Sequence, residues 1–294
     1  MYPSKFEHVP VQSIDDAITA LKEYDDAELI AGGQSLVPLQ KTRFASPDHL
    51  IDIGNIDELQ YVEAEDDAVR VGALATHTEI QQAPPIRDHV HLFSECISQI
   101  ADWPVRNQGT FGGTIAEADP SGDYLPVMQV LNPDIELAGP EGERMVPFDE
   151  FYIGMFTVDM AETELVIGAR IPKIETAVPD AAAVGSTYKK HAERSGDYAL
   201  VGIAAIVAID ADGMVADAKL SVGAVGPLTR ATEAEAAVEG TELDENALNE
   251  AAAAVREAVL PDEEGPEGEY KEAMAGEFAE RALQTAYERA TENL

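Results

Sequence analysis

Arg106-Asn107-Gln108-Gly109-Thr110-Phe111-Gly112-Gly113-Thr114 sets three glycines, two of them adjacent, among small polar residues. Glycine lets backbone amides converge on an anion with no Cβ in the way. The segment is no Walker loop, because no Gly-Lys-Ser/Thr follows, and it lacks the G-x-G-x-x-G spacing of a dinucleotide-binding turn. Towards the N-terminus a second such stretch appears, Ala31-Gly32-Gly33-Gln34-Ser35-Leu36. It follows the strand-like Glu28-Leu29-Ile30-Ala31 and runs into a helical segment over Ser35 to Phe44. Two glycine cradles with few Lys or Arg nearby fit a pyrophosphate held by amides and hydroxyls. Two purely structural turns are the competing reading.

Between these cradles and the chain's end stand further polar candidates. Asp119-Pro120-Ser121-Gly122-Asp123 can offer two carboxylates to a metal or to ribose hydroxyls, or form an Asx-turn with Asp123 capping the next helix. Arg194-Ser195-Gly196-Asp197-Tyr198-Ala199 enters the long apolar strand expected over Tyr198 to Asp210. There Tyr198 can stack on an aromatic ring or pack at the strand start, and Lys189 or Lys190 can steady negative charge. The six histidines form no metal spacing or nucleophile–base pattern, and Ser35 lies in no G-x-S-x-G elbow. His77, after Thr76, reads as a surface histidine.

The remaining pattern alternates short strands with helices. A helix follows Ser13, strands occupy His49 to Ile53, and a hairpin joins Leu59–Val62 to Val69–Gly72. One helix starts near Thr76 and another runs from about His89 to Ile100. Strands are expected at Ile135–Leu137, Glu164–Ile171 and Lys219–Val225, with Ala/Glu-rich helix from Ala231 onwards. Pro172, Lys173, Thr176 and Pro179 interrupt the pattern and mark a boundary between 172 and 180.

A length of 294 residues is enough for about two domains and a sizeable core. Fifty-six Asp and Glu face 19 Lys and Arg, a net charge of −37, which disfavours nucleic acid and anionic membrane as partners. The acids are dispersed, as on a surface adapted to concentrated salt, where screening removes the self-repulsion; an acidic partner-binding face is the plainer alternative. Cys96 stands alone, so an intramolecular disulfide and a cysteine-held cluster within this chain are both excluded. No signal peptide and no run of ~20 apolar residues is seen, so a cytoplasmic location is expected.

The motifs, taken together and in order, resemble those of one family. Residues 31–39, 106–114, Asp-Pro-x-x-Asp at 119–123 and Gly-Asp-Tyr-Ala at 196–199 are similar to the flavin-binding segments of the FAD-carrying medium subunit of molybdenum hydroxylases, the carbon monoxide and xanthine dehydrogenase type. The resemblance covers nearly the whole chain. It implies an α+β, vanillyl-alcohol-oxidase-like (PCMH-type) FAD-binding domain over 1–175, its two subdomains split near 55–60. A C-terminal α+β domain with a small antiparallel sheet over 180–294 then covers the flavin. By motif, Ala31, Gly32, Gly33, Gln34, Ser35 and Leu36 should line one FAD loop, and Thr110, Phe111, Gly112, Gly113 and Thr114 the other. Asp123 should reach the cofactor, Tyr198 should lie near the isoalloxazine, and Lys190 matches the family lysine. Relatives often carry His at Gln34 and Asn at Thr114; glutamine keeps the hydrogen bonding, whereas threonine offers no amide.

The same resemblance implies a large partner holding the molybdenum cofactor and a small partner with two [2Fe–2S] clusters, in a heterotrimer that dimerises. Electrons would pass through the clusters to FAD and on to an external acceptor. A stand-alone FAD oxidoreductase of the same fold, or a scaffold that has lost the cofactor, are the alternatives. Substrate and acceptor are not encoded here, because the substrate meets the molybdenum chain.

Overall fold

In the computed structural model the described residues are 2–178 and 181–294. The N-terminal part holds a three-stranded sheet, a five-stranded sheet and a two-stranded hairpin. Strands β1 (Glu7–Pro10), β2 (Ala27–Ile30) and β3 (His49–Asp52) form a parallel sheet in the order β1-β3-β2. The helix Ile14–Glu23 crosses between the first two strands, its N-terminus capped by Ser13 Oγ on the Asp16 amide.

The second sheet begins with the hairpin β4 (Val62–Ala64) and β5 (Ala68–Gly72). A run of short helices separates it from β6 (Asp134–Gly139) and β7 (Gly142–Pro147). A two-stranded hairpin, β8 (Tyr152–Gly154) and β9 (Thr157–Val158), precedes β10 (Leu165–Pro172). β10 inserts at the centre, giving an antiparallel order β4-β5-β10-β6-β7. Its first five residues are all buried, as a central strand covered on both faces requires.

The C-terminal part is a four-stranded antiparallel sheet, β11 (Ala183–His191), β12 (Val201–Ile209), β13 (Val215–Gly223) and β14 (Thr229–Arg230). Every residue of β12 is buried. Ala204 and Ile206 join the core of the N-terminal helices, while Val201, Ile203, Ala205, Val207 and Ile209 join the core under the C-terminal helices. The period of two thus divides one strand between two cores, each buried aliphatic contributing roughly 1.5–3 kcal/mol. The helices Thr232–Val238, Glu245–Ala258 and Pro266–Asn293 form the outer layer.

Two expectations are corrected. The first strand of the C-terminal part is β11, not the segment after Tyr198. β11 escaped because Gly185 and the polar run Ser186-Thr187 break its apolar pattern. Gly185 is there for close approach: a Cβ would stand 2.0 Å from the Ala286 carbonyl oxygen of the last helix. Second, between the two helices expected here, which are His77–Gln82 and His91–Ser98, stands a third, Pro84–His89, separated from the latter by the buried Val90. The expected boundary at 172–180 holds a short helix, Ile174–Ala177; its last two positions, Pro179 and Asp180, lie outside the described residues.

Candidate functional site: two glycine loops and a buried ion pair

The two glycine loops touch. A Cβ on Gly32 would stand 2.0 Å from the Gln108 carbonyl oxygen, so only glycine lets the first loop lie against the second. Ser35 Oγ adds a tie by donating to Glu117 Oε2 at 2.7 Å, linking the start of the helix Leu36–Thr42 to the end of the helix Phe111–Glu117. Burial pushes the Glu117 carboxyl above its usual range, and Asp119 adds to the rise. Gln34 is exposed, its side-chain amide turned back on the Gly32 carbonyl at 2.9 Å. Ala31 and Leu36 are half-buried.

The loops differ in what they leave free. Among the described residues, no acceptor in the chain takes the amides of Gly33, Gln34 or Ser35. In the second loop the Phe111 and Gly112 amides are already given to the carbonyls of Ala75 (3.0 Å) and Ala73 (2.8 Å). The Phe111 ring is fully buried against Phe93 and Tyr124, and Gly112 is buried beside Ala73. Gly113 is exposed, its amide held only by a 3.3 Å contact with Thr110 Oγ, and Thr114 is half-buried. Thr110 Oγ, the Gly113 amide and the Thr114 hydroxyl are therefore what this loop can offer a ligand.

Asp123 does not act as a helix cap. Although it precedes the helix Tyr124–Leu131, its side chain caps nothing. Its carboxylate instead accepts from the Tyr188 hydroxyl at 2.6 Å and from Lys190 Nζ at 2.9 Å. Burial drives the Asp123 carboxyl up, and Lys190 and Tyr188 pull it back; the Tyr188 hydroxyl is pushed far up by burial. Both acceptor and cation are nearly closed off, with side chains 7% and 5% exposed. Lys190 also donates to the Gln99 carbonyl at 3.1 Å. This pair joins β11 to the helix region and leaves little of either group for a ligand.

His77, expected at the surface, is 4% exposed. It lies directly under the second loop, where a Cβ on Gly109 would come within 2.6 Å of its Nε2. Its Nδ1 is 2.6 Å from the Tyr124 hydroxyl. Burial, with a smaller contribution from Arg106, lowers its pKa to about 4, so it is neutral at pH 7. Arg106, at the start of the loop, is buried with its guanidinium 4.9 Å from the Trp103 ring, and it donates to the Ile100 and Ala101 carbonyls. Composition and spacing carried no sign of either burial.

Tyr198 sits in the loop between β11 and β12 and is 64% exposed. Its hydroxyl is pushed up by partial burial, with Asp119, Glu117 and Asp123 adding to the rise. Gly196, two residues earlier, brings this loop to the Ala101 carbonyl. The glycine loops and Tyr198 thus border one region contributed by both parts of the chain.

Residues 4–174 match the family model of the FAD binding domain in molybdopterin dehydrogenase, and residues 186–286 match the CO dehydrogenase flavoprotein C-terminal domain. The chain belongs to the molybdenum-hydroxylase flavoprotein family. It is 33% identical over 292 residues to the carbon monoxide dehydrogenase medium chain of Hydrogenophaga pseudoflava, covering 98% of this chain and 99% of that one. It is 34% identical to the glyceraldehyde dehydrogenase medium chain of Sulfolobus acidocaldarius, over 89% of this chain and 90% of the relative. Among solved structures, carbon monoxide dehydrogenase from Hydrogenophaga pseudoflava lacking the Mo-pyranopterin moiety matches with a TM-score of 0.92 and 35% identity, over 99% and 100% of the two chains. The family's α+β fold, its FAD-binding domain and its C-terminal domain with a small antiparallel sheet are therefore those of this chain, an oxidoreductase subunit whose cofactor is FAD. The residues present fit that cofactor: free amides at 33–35, hydroxyls at Thr110 and Thr114, and an exposed phenol at Tyr198. No helix among the described residues is long and apolar enough to cross a membrane.

Proposed function

We propose that this chain is the flavin-carrying electron-transfer subunit of a molybdenum hydroxylase. Two partner chains complete the assembly, a large one holding the molybdenum cofactor and a small one holding two [2Fe–2S] clusters, in a heterotrimer that dimerises. The observation that supports this most is the closure of the two glycine loops at Gly32–Gln108 with the amides of Gly33, Gln34 and Ser35 left free. Bound FAD supplies reversible electron exchange between the clusters and an external acceptor. The residues of the chain bind and orient it. The amides of residues 33–35 receive the pyrophosphate from one side, and Thr110 Oγ, the Gly113 amide and the Thr114 hydroxyl close on it from the other. Leu36 and Ala31 wall the first loop, and Tyr198 stands at the ring. Asp123, Lys190 and Phe111 act from beneath, by fixing the position of β11 and of the second loop.

The surrounding solvent in this reading is a cytoplasm rich in salt, which a net charge of −37 tolerates. Co-expression with the two partner chains tests the assignment. A visible flavin band released by heating the purified complex, and both partners retained in it, are the expected results. A colourless protein would mean a scaffold. A yellow protein that purifies alone would mean a stand-alone enzyme.

A further inference from the structure

The helix Leu36–Thr42, which leaves the first glycine loop, presents an exposed ledge. Leu39, Lys41, Arg43 and Phe44 all face solvent, and Phe44 is 87% exposed. This is no frayed end. The Arg43 amide donates to the Gln40 and Leu39 carbonyls, and the Phe44 amide donates to the Leu39 carbonyl at 3.0 Å. Arg43 itself sits at φ 63°, a left-handed conformation that favours glycine because it has no Cβ. The helix ends in a left-handed cap, and the residue after it, Phe44, is left exposed.

The charge of the ledge is opposite to that of the molecule. No Asp or Glu stands between Glu28 and Asp48, the longest acid-free run in a sequence with 56 acids. Among the described residues neither Lys41 nor Arg43 forms an ion pair. The net charge of −37 repels an anionic partner at long range, while Lys41 and Arg43 attract one locally. Another exposed apolar group among the described residues, Ile153, Met155 and Phe156 at the β8–β9 tip, is flanked in sequence by Asp149, Glu150 and Asp159 and lacks this contrast.

We infer that the ledge Leu39–Phe44 is the docking surface for the iron–sulfur partner chain, with Phe44 as the anchor that fills an apolar pocket on that partner. The inference rests on the flavin-subunit reading above. A thiolate-ligated [2Fe–2S] centre carries net negative charge in both oxidation states, which complements Lys41 and Arg43. The ledge also continues directly from residues 32–36, so a chain seated on it lies beside the loop that holds the electron acceptor. Aromatic anchors flanked by arginine are the residue types that dominate such contacts.

The test uses the three-chain complex, co-expressed and captured through a tag on this chain. Wild type is compared with Phe44→Ala and with the double variant Lys41→Glu/Arg43→Glu. The readouts are iron–sulfur chain, large chain and FAD, each per captured flavoprotein chain. The expected result is a loss of iron–sulfur chain of at least about tenfold in both variants, with FAD unchanged. Retention of that chain at the wild-type ratio overturns the inference and leaves the flavin-subunit reading standing. Selective loss of the large chain or of self-association assigns the ledge to that occupant instead and overturns it too. FAD falling in parallel in both variants means that the ledge serves the cofactor loop, which overturns the docking role as well. A wild-type capture without FAD or without the iron–sulfur chain defeats the underlying reading itself.

Discussion

Lys190 Nζ lies 2.9 Å from Asp123 Oδ2 in the buried seam between β11 and the helix Tyr124–Leu131. Tyr188, two residues before Lys190 and on the same face of β11, gives the same carboxylate its hydroxyl at 2.6 Å. One aspartate therefore takes two donors from one strand. The Cys96 thiol donates to the Asp123 carbonyl at 3.1 Å, closing the polar cluster on its other side. The seam positions the loop that carries Tyr198, and through it the mouth of the site.

Breaking the pair from one side should be costly. Lys190→Met leaves a buried carboxylate with one donor fewer, and losses of about 3–5 kcal/mol are typical for such an orphaned charge. Lys190→Met combined with Asp123→Leu should lose less than Lys190→Met alone, because no charge is stranded. Chemical denaturation of the single and double variants measures the difference. Equal loss in both would mean that the pair is not coupled.

The two adjacent glycines of the second loop should separate into a packing residue and a ligand residue. A Cβ at Gly112 would stand 2.6 Å from the Ala73 Cβ, so Gly112→Val should lower the melting temperature whether or not flavin is present. At Gly113 the nearest atom is Thr110 Oγ at 3.0 Å. Gly113→Val should fold and lose flavin affinity, read by fluorescence titration of the apoprotein. Unchanged affinity there would remove this loop from the cofactor site.

Much of the site was legible because its chemistry depends on backbone, and glycine pairs are visible in a sequence. The contact of Gly32 with Gln108 brings together two loops that were each recognisable alone. What the sequence hid was burial of polar residues. His77, Arg106 and Asp123 are types that usually face water; His77 and Asp123 are buried with partners far along the chain, Tyr124 and Lys190, and Arg106 folds back on the nearby Ile100 and Ala101 carbonyls. β11 was hidden for a related reason. Its polar residues Ser186 and Thr187 are fully buried, satisfied in part by His91 and Glu95, so no alternation of polar and apolar side chains records the strand. Tyr198 was expected at a strand start, and its loop placement follows from β11 ending at His191 and β12 starting only at Val201.

His77 should make stability depend on pH. Its folded pKa of about 4 lies below the ordinary histidine value, roughly 6.5, so the unfolded chain binds more protons between them. The histidine's contribution is therefore intact above about pH 6.5 and lost progressively as the pH falls towards 4, by ~3 kcal/mol in all. Because the many carboxylates also titrate at the acid end of this range, the comparison is wild type against His77→Asn. The wild-type advantage should shrink on acidification. A constant difference from pH 7 to 4.5 would mean that the ring is not held neutral.

Salt should stabilise the folded chain. With 56 acids and 19 bases dispersed over the sequence, dilution of potassium chloride leaves the carboxylates unscreened. The melting temperature should rise steeply from low salt to about 0.2 M, where the screening length is below ~8 Å. Further gain at molar concentration would reflect exclusion of salt from the surface. A flat profile from low to molar salt would refute the adaptation to salt.

Tyr198 should tune the flavin and contribute little to the fold. At 64% exposure it is no core residue, and partial burial, with Asp119, Glu117 and Asp123 adding to it, pushes its hydroxyl up. Truncation at such a position typically changes stability by no more than about 0.5 kcal/mol. An aromatic ring packed against another contributes about 0.5–1.5 kcal/mol beyond area burial, so Tyr198→Ala should weaken flavin binding by up to roughly tenfold. Tyr198→Phe keeps the ring and removes the hydroxyl that the acidic groups act on. It should bind flavin nearly as well as wild type while shifting the flavin's reduction potential or the rate of reaction with an external acceptor. Apoprotein melting, flavin titration and redox titration of the three proteins separate these effects. If Tyr198→Ala melts several degrees lower and the flavin it retains has an unchanged spectrum and potential, the phenol supports the loop and does not face the ring.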